Sequence, residues 1–250
     1  FYEEDLPYLC IPEVFGLSQE EFEGMNVGDL EFQFDLFISL LKEGQSPFKE
    51  DGKTKPQLLV EFLEGLGEQG EGRNGSTGLN LEEQRLKELP LGLFNIKNTE
   101  VLILNKNPFT SIPEELGKLI NLKELHLREK RLETLPESIG KLENLEVLNL
   151  AFCSHLKSLP ESIGNLKNLK KLSLSQYKGD DIPDSVSELP NLEEFVIVST
   201  HIIEDGEIVG LPEWVFKFKG LKRLCYKLND LTEKDLNRLL ELSPDVDISF

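Results

Sequence analysis

One segment of this chain is followed eight residues later by a near copy of itself: LPESIGKLENLEVLNL, ending at Leu150, precedes LPESIGNLKNLKKLSL, ending at Leu174. Aligned on L-x-x-L-x-L, the repeat starts at Ser76, Thr99, Leu122, Leu145, Leu169, Leu192 and Leu221, so the intervals are 23, 23, 23, 24, 23 and 29 residues. A fixed period of this size marks a stack of similar units rather than a single compact core. In the turn that runs from Leu122 to Asn144, Leu125 and Leu127 lie two apart and share one face of a short strand. Leu132, Leu135, Ile139 and Leu142 are expected to point inward from the return path, where Pro136 and Gly140 break regular structure. One turn cannot bury so many aliphatic side chains alone, but stacked turns can, behind a parallel sheet.

These residues resemble the leucine-rich repeat family, in its 23-residue form LPxxIGxLxNLxxLxL, over about residues 76–250. The resemblance implies an α/β fold: a curved solenoid with a parallel concave β-sheet and short helical or extended segments on the convex side. It implies binding, with no catalytic residue and no cofactor. The repeat type is familiar from bacterial surface or secreted proteins and from intracellular adaptors, and a secreted or cell-surface bacterial setting is favoured over a cytoplasmic one. Family members usually carry Asn at the ninth position of the turn, bonded to backbone groups of neighbouring turns. Here that position holds Gln84, Asn107, Lys130, Cys153, Tyr177, Thr200 and Asn229, and Lys130 and Tyr177 put a regular ladder in doubt.

Outside the repeat the composition changes. Residues 1–75 hold 17 acidic and 5 basic residues (−12), against 29 and 22 (−7) in residues 76–250, which together give −19. Within the first part, residues 17–66 read as helical: Ser18 and Glu21 have capping-box spacing, and Leu30, Phe34, Phe37, Leu40 and Leu41 recur at helix spacing. They form either a helical N-terminal cap or a small acidic domain that binds a partner. The Gly-rich residues 67–78 follow as a linker, containing the sequon Asn74-Gly75-Ser76. Near the other end Thr232 and Asp235 make a capping pattern for a helix through Leu242, and VDISF reads as a last strand. The turn from Leu192 is about six residues longer than its neighbours, and the apolar excess HIIEDGEIVG is either tucked against a neighbouring turn or looped out for binding.

Side chains that flank the inward leucines of each strand face the concave surface. Val101, Ile103, Val147, Val196 and Val198 are apolar on a face the core does not use, and Phe152 lies at a strand exit beside Arg128. Contiguous exposed apolar groups with an aromatic and an arginine have the composition of an interaction site, although β-branched residues also simply favour strands. His126, Asn149, Lys171, Arg223 and Lys227 complete the candidate partner-binding set. Basic residues gather toward the C-terminal strands at Lys170, Lys171, Lys222, Arg223 and Lys227, where they could attract an acidic ligand or the protein's own acidic N-terminal region.

The net charge of −19 argues against binding nucleic acid, whose affinity rests on Lys and Arg. No apolar run approaches the ~18 residues of a membrane span, so no membrane insertion is expected. A glycan ligand has little support, because aromatic residues are scarce on the concave face. Cys10, Cys153 and Cys225 match no metal knuckle. Cys153 and His155 are two apart, but the ladder position turns Cys153 inward; Glu124, His126 and Glu129 could hold a metal only adventitiously. Two functions remain: a non-catalytic module that binds a protein partner, or the recognition arm of a larger multidomain protein whose enzymatic part lies outside this chain.

Overall fold

The computed structural model describes residues 77–177, 182–197, 203–204, 207–208, 213–218, 220–226, 232–242 and 245–249. The helices expected over 17–66 lie outside the described residues. The sheet begins at β1 (Thr77–Asn80), so the last two residues of the expected linker, Thr77 and Gly78, are strand. It continues through β2 (Thr99–Ile103), β3 (Glu124–His126), β4 (Val147–Asn149), β5 (Lys171–Ser173) and β6 (Glu194–Ile197). After the long turn come β9 (Arg223–Tyr226) and β10 (Asp247–Ser249). All eight strands form one parallel sheet in chain order, with β6 paired directly to β9. The longer turn contains a small antiparallel hairpin, β7 (Ile203–Glu204) against β8 (Glu207–Ile208).

Strand register aligns the repeats residue for residue. Leu79, Leu102, Leu125, Leu148, Leu172, Phe195 and Leu224 are successive register partners, and each is fully buried. A second column, Leu81, Leu104, Leu127, Leu150 and Leu174, lies behind it. Each such side chain contributes about 1.5–3 kcal/mol when removed from water, but it gains this only beside a neighbouring turn. Where Phe195 replaces leucine, the return path supplies Phe218, with ring centroids 5.2 Å apart.

The convex side is made of single 3-10 turns that each follow a proline: Leu91–Asn95 after Pro90, Glu114–Lys118 after Pro113, Glu137–Lys141 after Pro136 and Glu161–Asn165 after Pro160. Proline sets the φ that such a start requires and has no N–H to leave unpaired. In the next turn a short α-helix, α1 (Asp184–Ser187), takes this place after Pro183. Close stacking here depends on glycine. A Cβ on Gly140 would sit 2.5 Å from the Ser162 carbonyl oxygen, and Gly117 and Gly164 meet Ser138 and Ser185 in the same way.

Two further ladders cross the turns at the strand entrances. Asn121, Asn144, Asn168 and Asn191 donate side-chain N–H groups to the carbonyls of Lys97, Ile120, Glu143 and Lys167 in the preceding turn. Glu100, Lys123, Glu146, Lys170, Glu193 and Lys222 alternate in sign, and form the pairs Lys123–Glu100 (2.8 Å), Lys170–Glu146 (2.6 Å) and Lys222–Glu193 (2.6 Å). The hydrogen bond Lys123 donates to the Glu100 carboxylate raises the pKa of its ammonium above the usual lysine value. At the C-terminal end, α2 (Glu233–Leu242) is capped as its sequence implies. The Asp235 amide donates to Thr232 Oγ1 (3.1 Å), and that hydroxyl donates to the Asp235 carboxylate (2.6 Å).

Candidate functional site

The concave surface is a set of rows fixed by strand register. One row runs Gly78, Val101, Glu124, Val147, Lys171, Glu194, Arg223, Asp247; the next runs Asn80, Ile103, His126, Asn149, Ser173, Val196, Cys225. Val101, Ile103, His126, Val147, Asn149, Lys171 and Val196 are all half-buried, while Arg128, Phe152 and Arg223 are exposed. Val198 and Lys227 lie outside the described residues. His126 Nε2 lies 3.1 Å from Glu124 Oε2 on the same strand.

Charges at the C-terminal end of this face are matched to each other. Lys171 Nζ is 2.9 Å from Glu194 Oε1, which also lies 3.9 Å from Arg223, and Arg223 Nε is 3.5 Å from Asp247. With Lys170 and Lys222 also paired, four of the five basic residues that the sequence gathers there face carboxylates. Alternating acid and base across adjacent turns cancels their field beyond about one Debye length, roughly 8–10 Å.

A different cationic region lies at the exits of β1 to β4. In most turns the residue two after the second inward leucine takes a left-handed backbone: Glu83 (φ 61), Lys106 (φ 56), Phe152 (φ 67) and Gln176 (φ 62). The next residue then turns inward to the ladder position. Asn107 is fully buried there and donates to the carbonyls of Leu81 (2.8 Å), Leu104 (2.9 Å) and Asn105 (3.2 Å) while accepting from the Leu86 amide (3.0 Å). Cys153 is also buried and donates to the Leu127 carbonyl. Desolvation pushes its thiol up to about 12. His155 is exposed, so the two do not share a site. Tyr177 is turned inward as well.

The turn carrying Lys130 departs from this pattern. Burying an unpaired ammonium costs several kcal/mol, and Lys130 is exposed while Glu129 is buried in its place. The Glu129 carboxylate accepts the Arg131 amide at 2.9 Å, and the Glu129 amide donates back to Leu127. This local change leaves Lys130 and Arg131 on the outside, beside Arg128. Together with Arg85, Lys106 and Phe152 they line an open groove of about 620 Å³. Phe152 keeps 41% of its surface exposed, and the Arg128 guanidinium stacks 4.8 Å from its ring centre. Composition alone concealed the groove, because its cations come from three turns. The readable signal was Lys130 at a position that should be buried.

Among the described residues no group of three or more His, Cys, Asp or Glu is arranged to hold a metal ion, and no helix there is long and apolar enough to cross a membrane.

A solenoid with a register-locked concave face and a charged rim defines a class of protein-interaction module. The leucine-rich repeat region family matches residues 78–244, and the chain belongs to that family. No curated protein matches it. Among solved structures it is similar to the leucine-rich repeat domain of the type III effector XopL, at 25% identity over 66% of this chain and 65% of that one, with a TM-score of 0.52. It is also similar to internalin C2 from Listeria monocytogenes, at 19% identity over 74% of this chain and 80% of that one, with a TM-score of 0.53. A Leptospira interrogans leucine-rich repeat protein matches at 22% identity and a TM-score of 0.29, over 69% of this chain and 60% of its own. The chain thus spans less than two thirds of the effector domain and of the Leptospira protein.

Proposed function

We propose that this protein is a non-catalytic module that holds a protein partner across the concave face. The observation that carries the reading is the half-exposed apolar set Val101, Ile103, Val147 and Val196, interspersed with polar residues in two rows of the concave face that the leucine columns do not use. Desolvated apolar and aromatic groups supply most of the energy at protein interfaces, with polar rims giving orientation. The test compares the intact chain with a Val101→Glu/Val147→Glu variant shown by circular dichroism to be equally folded. Both are immobilised, and captured proteins are identified by mass spectrometry. A partner held by the parent and lost by the variant supports the concave face; equal capture by both removes it.

Similarity to an effector's repeat domain favours a second reading, a recognition arm attached to an enzymatic part outside this chain. Sequencing the transcript tests it: a reading frame that continues into an enzymatic fold supports the arm, and a frame holding repeats alone does not.

A further inference from the structure

We infer that the groove at the exits of β1 to β4 is a second contact site, and that its occupant is an acidic, Asp- or Glu-bearing segment of a protein partner. The inference rests on the reading above that the partner is a protein, but not on the apolar set as its point of contact.

Charge is the first argument. The chain as a whole carries −19, and most lysines on the sheet side are neutralised across turns. Lys106 in the groove is likewise matched, 2.8 Å from Glu83 and 3.0 Å from Glu82. Arg85, Arg128, Lys130 and Arg131 are exposed and have no carboxylate partner among the described residues. Four cations with no carboxylate partner among the described residues, beside the buried Glu129 that also lines the groove, make a local attractive field on an acidic molecule, which fixes the orientation of an acidic partner.

Geometry is the second. Arg128 is held at both ends. Its backbone N–H donates to Asn105 Oδ1 at 3.0 Å, and its guanidinium lies on the Phe152 ring. A stacked guanidinium has lost much of its rotamer freedom but keeps the N–H fork that binds a carboxylate through two parallel bonds. Such preorganisation lowers the entropy lost on binding. Phe152 itself occupies the left-handed region, where a side chain other than Gly, Asn or Asp is uncommon. The turn therefore carries a local strain that presents an aromatic ring beside the arginine, and the exposed ring edge offers an apolar seat for a residue next to the acidic one. A nucleic-acid strand fits less well, because its continuous charge would meet repulsion from the rest of the molecule.

The test uses the full chain and a fluorescein-labelled peptide of six Glu-Leu repeats, read by fluorescence anisotropy. A Gln-Leu peptide and a twelve-nucleotide thymidine strand serve as alternatives. The expected result is saturable binding of the glutamate peptide that weakens as salt is raised, with at least tenfold weaker binding of the glutamine peptide. An Arg128→Glu/Lys130→Glu variant should bind the glutamate peptide at least tenfold more weakly; because both positions are exposed, it should melt like the parent. If that variant unfolds, Arg85→Gln/Arg131→Gln gives the same reading. Failure of the glutamate peptide to bind, equal binding of the glutamine peptide, indifference to the substitutions, or preference for the thymidine strand would each overturn the inference. Running the groove variants through the capture experiment separates the two proposals. Loss of partner on the valine variant alone refutes the groove and leaves the concave reading standing. Loss on the groove variant alone removes the apolar set but keeps this inference.

Discussion

Asn107→Ala tests how the turns are tied together. Asn107 is fully buried and joins the first described turn to the second: its amide reaches the Leu81 carbonyl, and its oxygen takes the amide of Leu86, itself almost fully buried. Alanine removes the acceptor for the Leu86 N–H and the donors for the Leu81, Leu104 and Asn105 carbonyls. An orphaned buried group costs about 1–3 kcal/mol; with one amide stranded and three carbonyls each losing this donor, the expected loss is about 3 kcal/mol. If the solenoid unfolds as one unit, this lowers Tm by about 6–12 °C, since roughly 2–4 °C accompany each kcal/mol in a domain of this size. Stacked repeats obey nearest-neighbour energetics, however, and a weakened interface can release only the turn beyond it. Then the main transition stays in place, and amide exchange quickens for residues 79–86 alone. Thermal melts combined with hydrogen exchange distinguish these outcomes. Unchanged Tm together with unchanged protection at Leu86 would refute the claim that Asn107 joins the turns.

Three other expectations follow from the same geometry. Gly140→Ala should destabilise by about 1–3 kcal/mol, the range for overpacking a tight site, because the added carbon meets the backbone of Ser162 and not a movable side-chain tip; chemical denaturation measures it, and a stability gain would contradict the close approach. Cys153 should stay unmodified by iodoacetamide at pH 8 in the folded protein and react after unfolding, because its thiol is held near 12. As pH rises through the ordinary thiol range, the unfolded chain loses this proton and the folded chain keeps it, so stability falls with pH in that window; peptide mapping reads the first effect and alkaline melts the second. Lys130→Asn should restore the ladder and raise stability by about 1 kcal/mol, the net worth of a buried hydrogen bond; an unchanged urea midpoint would count against the rerouted turn.

The sequence predicts the two leucine columns because a period of 23 residues carries its own alternation of inward and outward positions. Strand register then places each outward residue in a definite row, so Val101, Val147 and Val196 could be assigned to the concave face before any coordinates. The Thr232–Asp235 cap was legible for a similar reason: a local hydrogen-bond pattern needs only a local spacing. What escaped are interactions whose partners belong to different turns. Lys170, Lys171, Lys222 and Arg223 read as a basic patch along the chain, yet each meets a glutamate one turn away. The asparagines at the strand entrances repeat at the same interval as the leucines, but their carbonyl partners carry no side-chain signature. The two-residue strands of the inserted hairpin are likewise too short for alternation to show.

The groove and the irregular ladder have one origin. A ladder position demands a side chain that can be buried and can bond backbone groups, which Asn107 and Cys153 satisfy and a lysine cannot without losing hydration. At Lys130 the chain resolves the conflict by turning Glu129 inward, where its carboxylate is bonded to the Arg131 amide. Two cations are thereby left at the surface, next to an arginine already fixed on Phe152. The following turn contributes that phenylalanine at the left-handed position Glu83, Lys106 and Gln176 also occupy, so the departure is a bulky ring at that position and not the backbone angle itself. Each choice gives up some stability in the repeat, and both fall on the same groove. Proteins depart from local rules in this concentrated way where binding, not folding, sets the residue. The repeat frame explains why this chain folds, and its two adjacent departures are the ground on which the groove is proposed as a contact site.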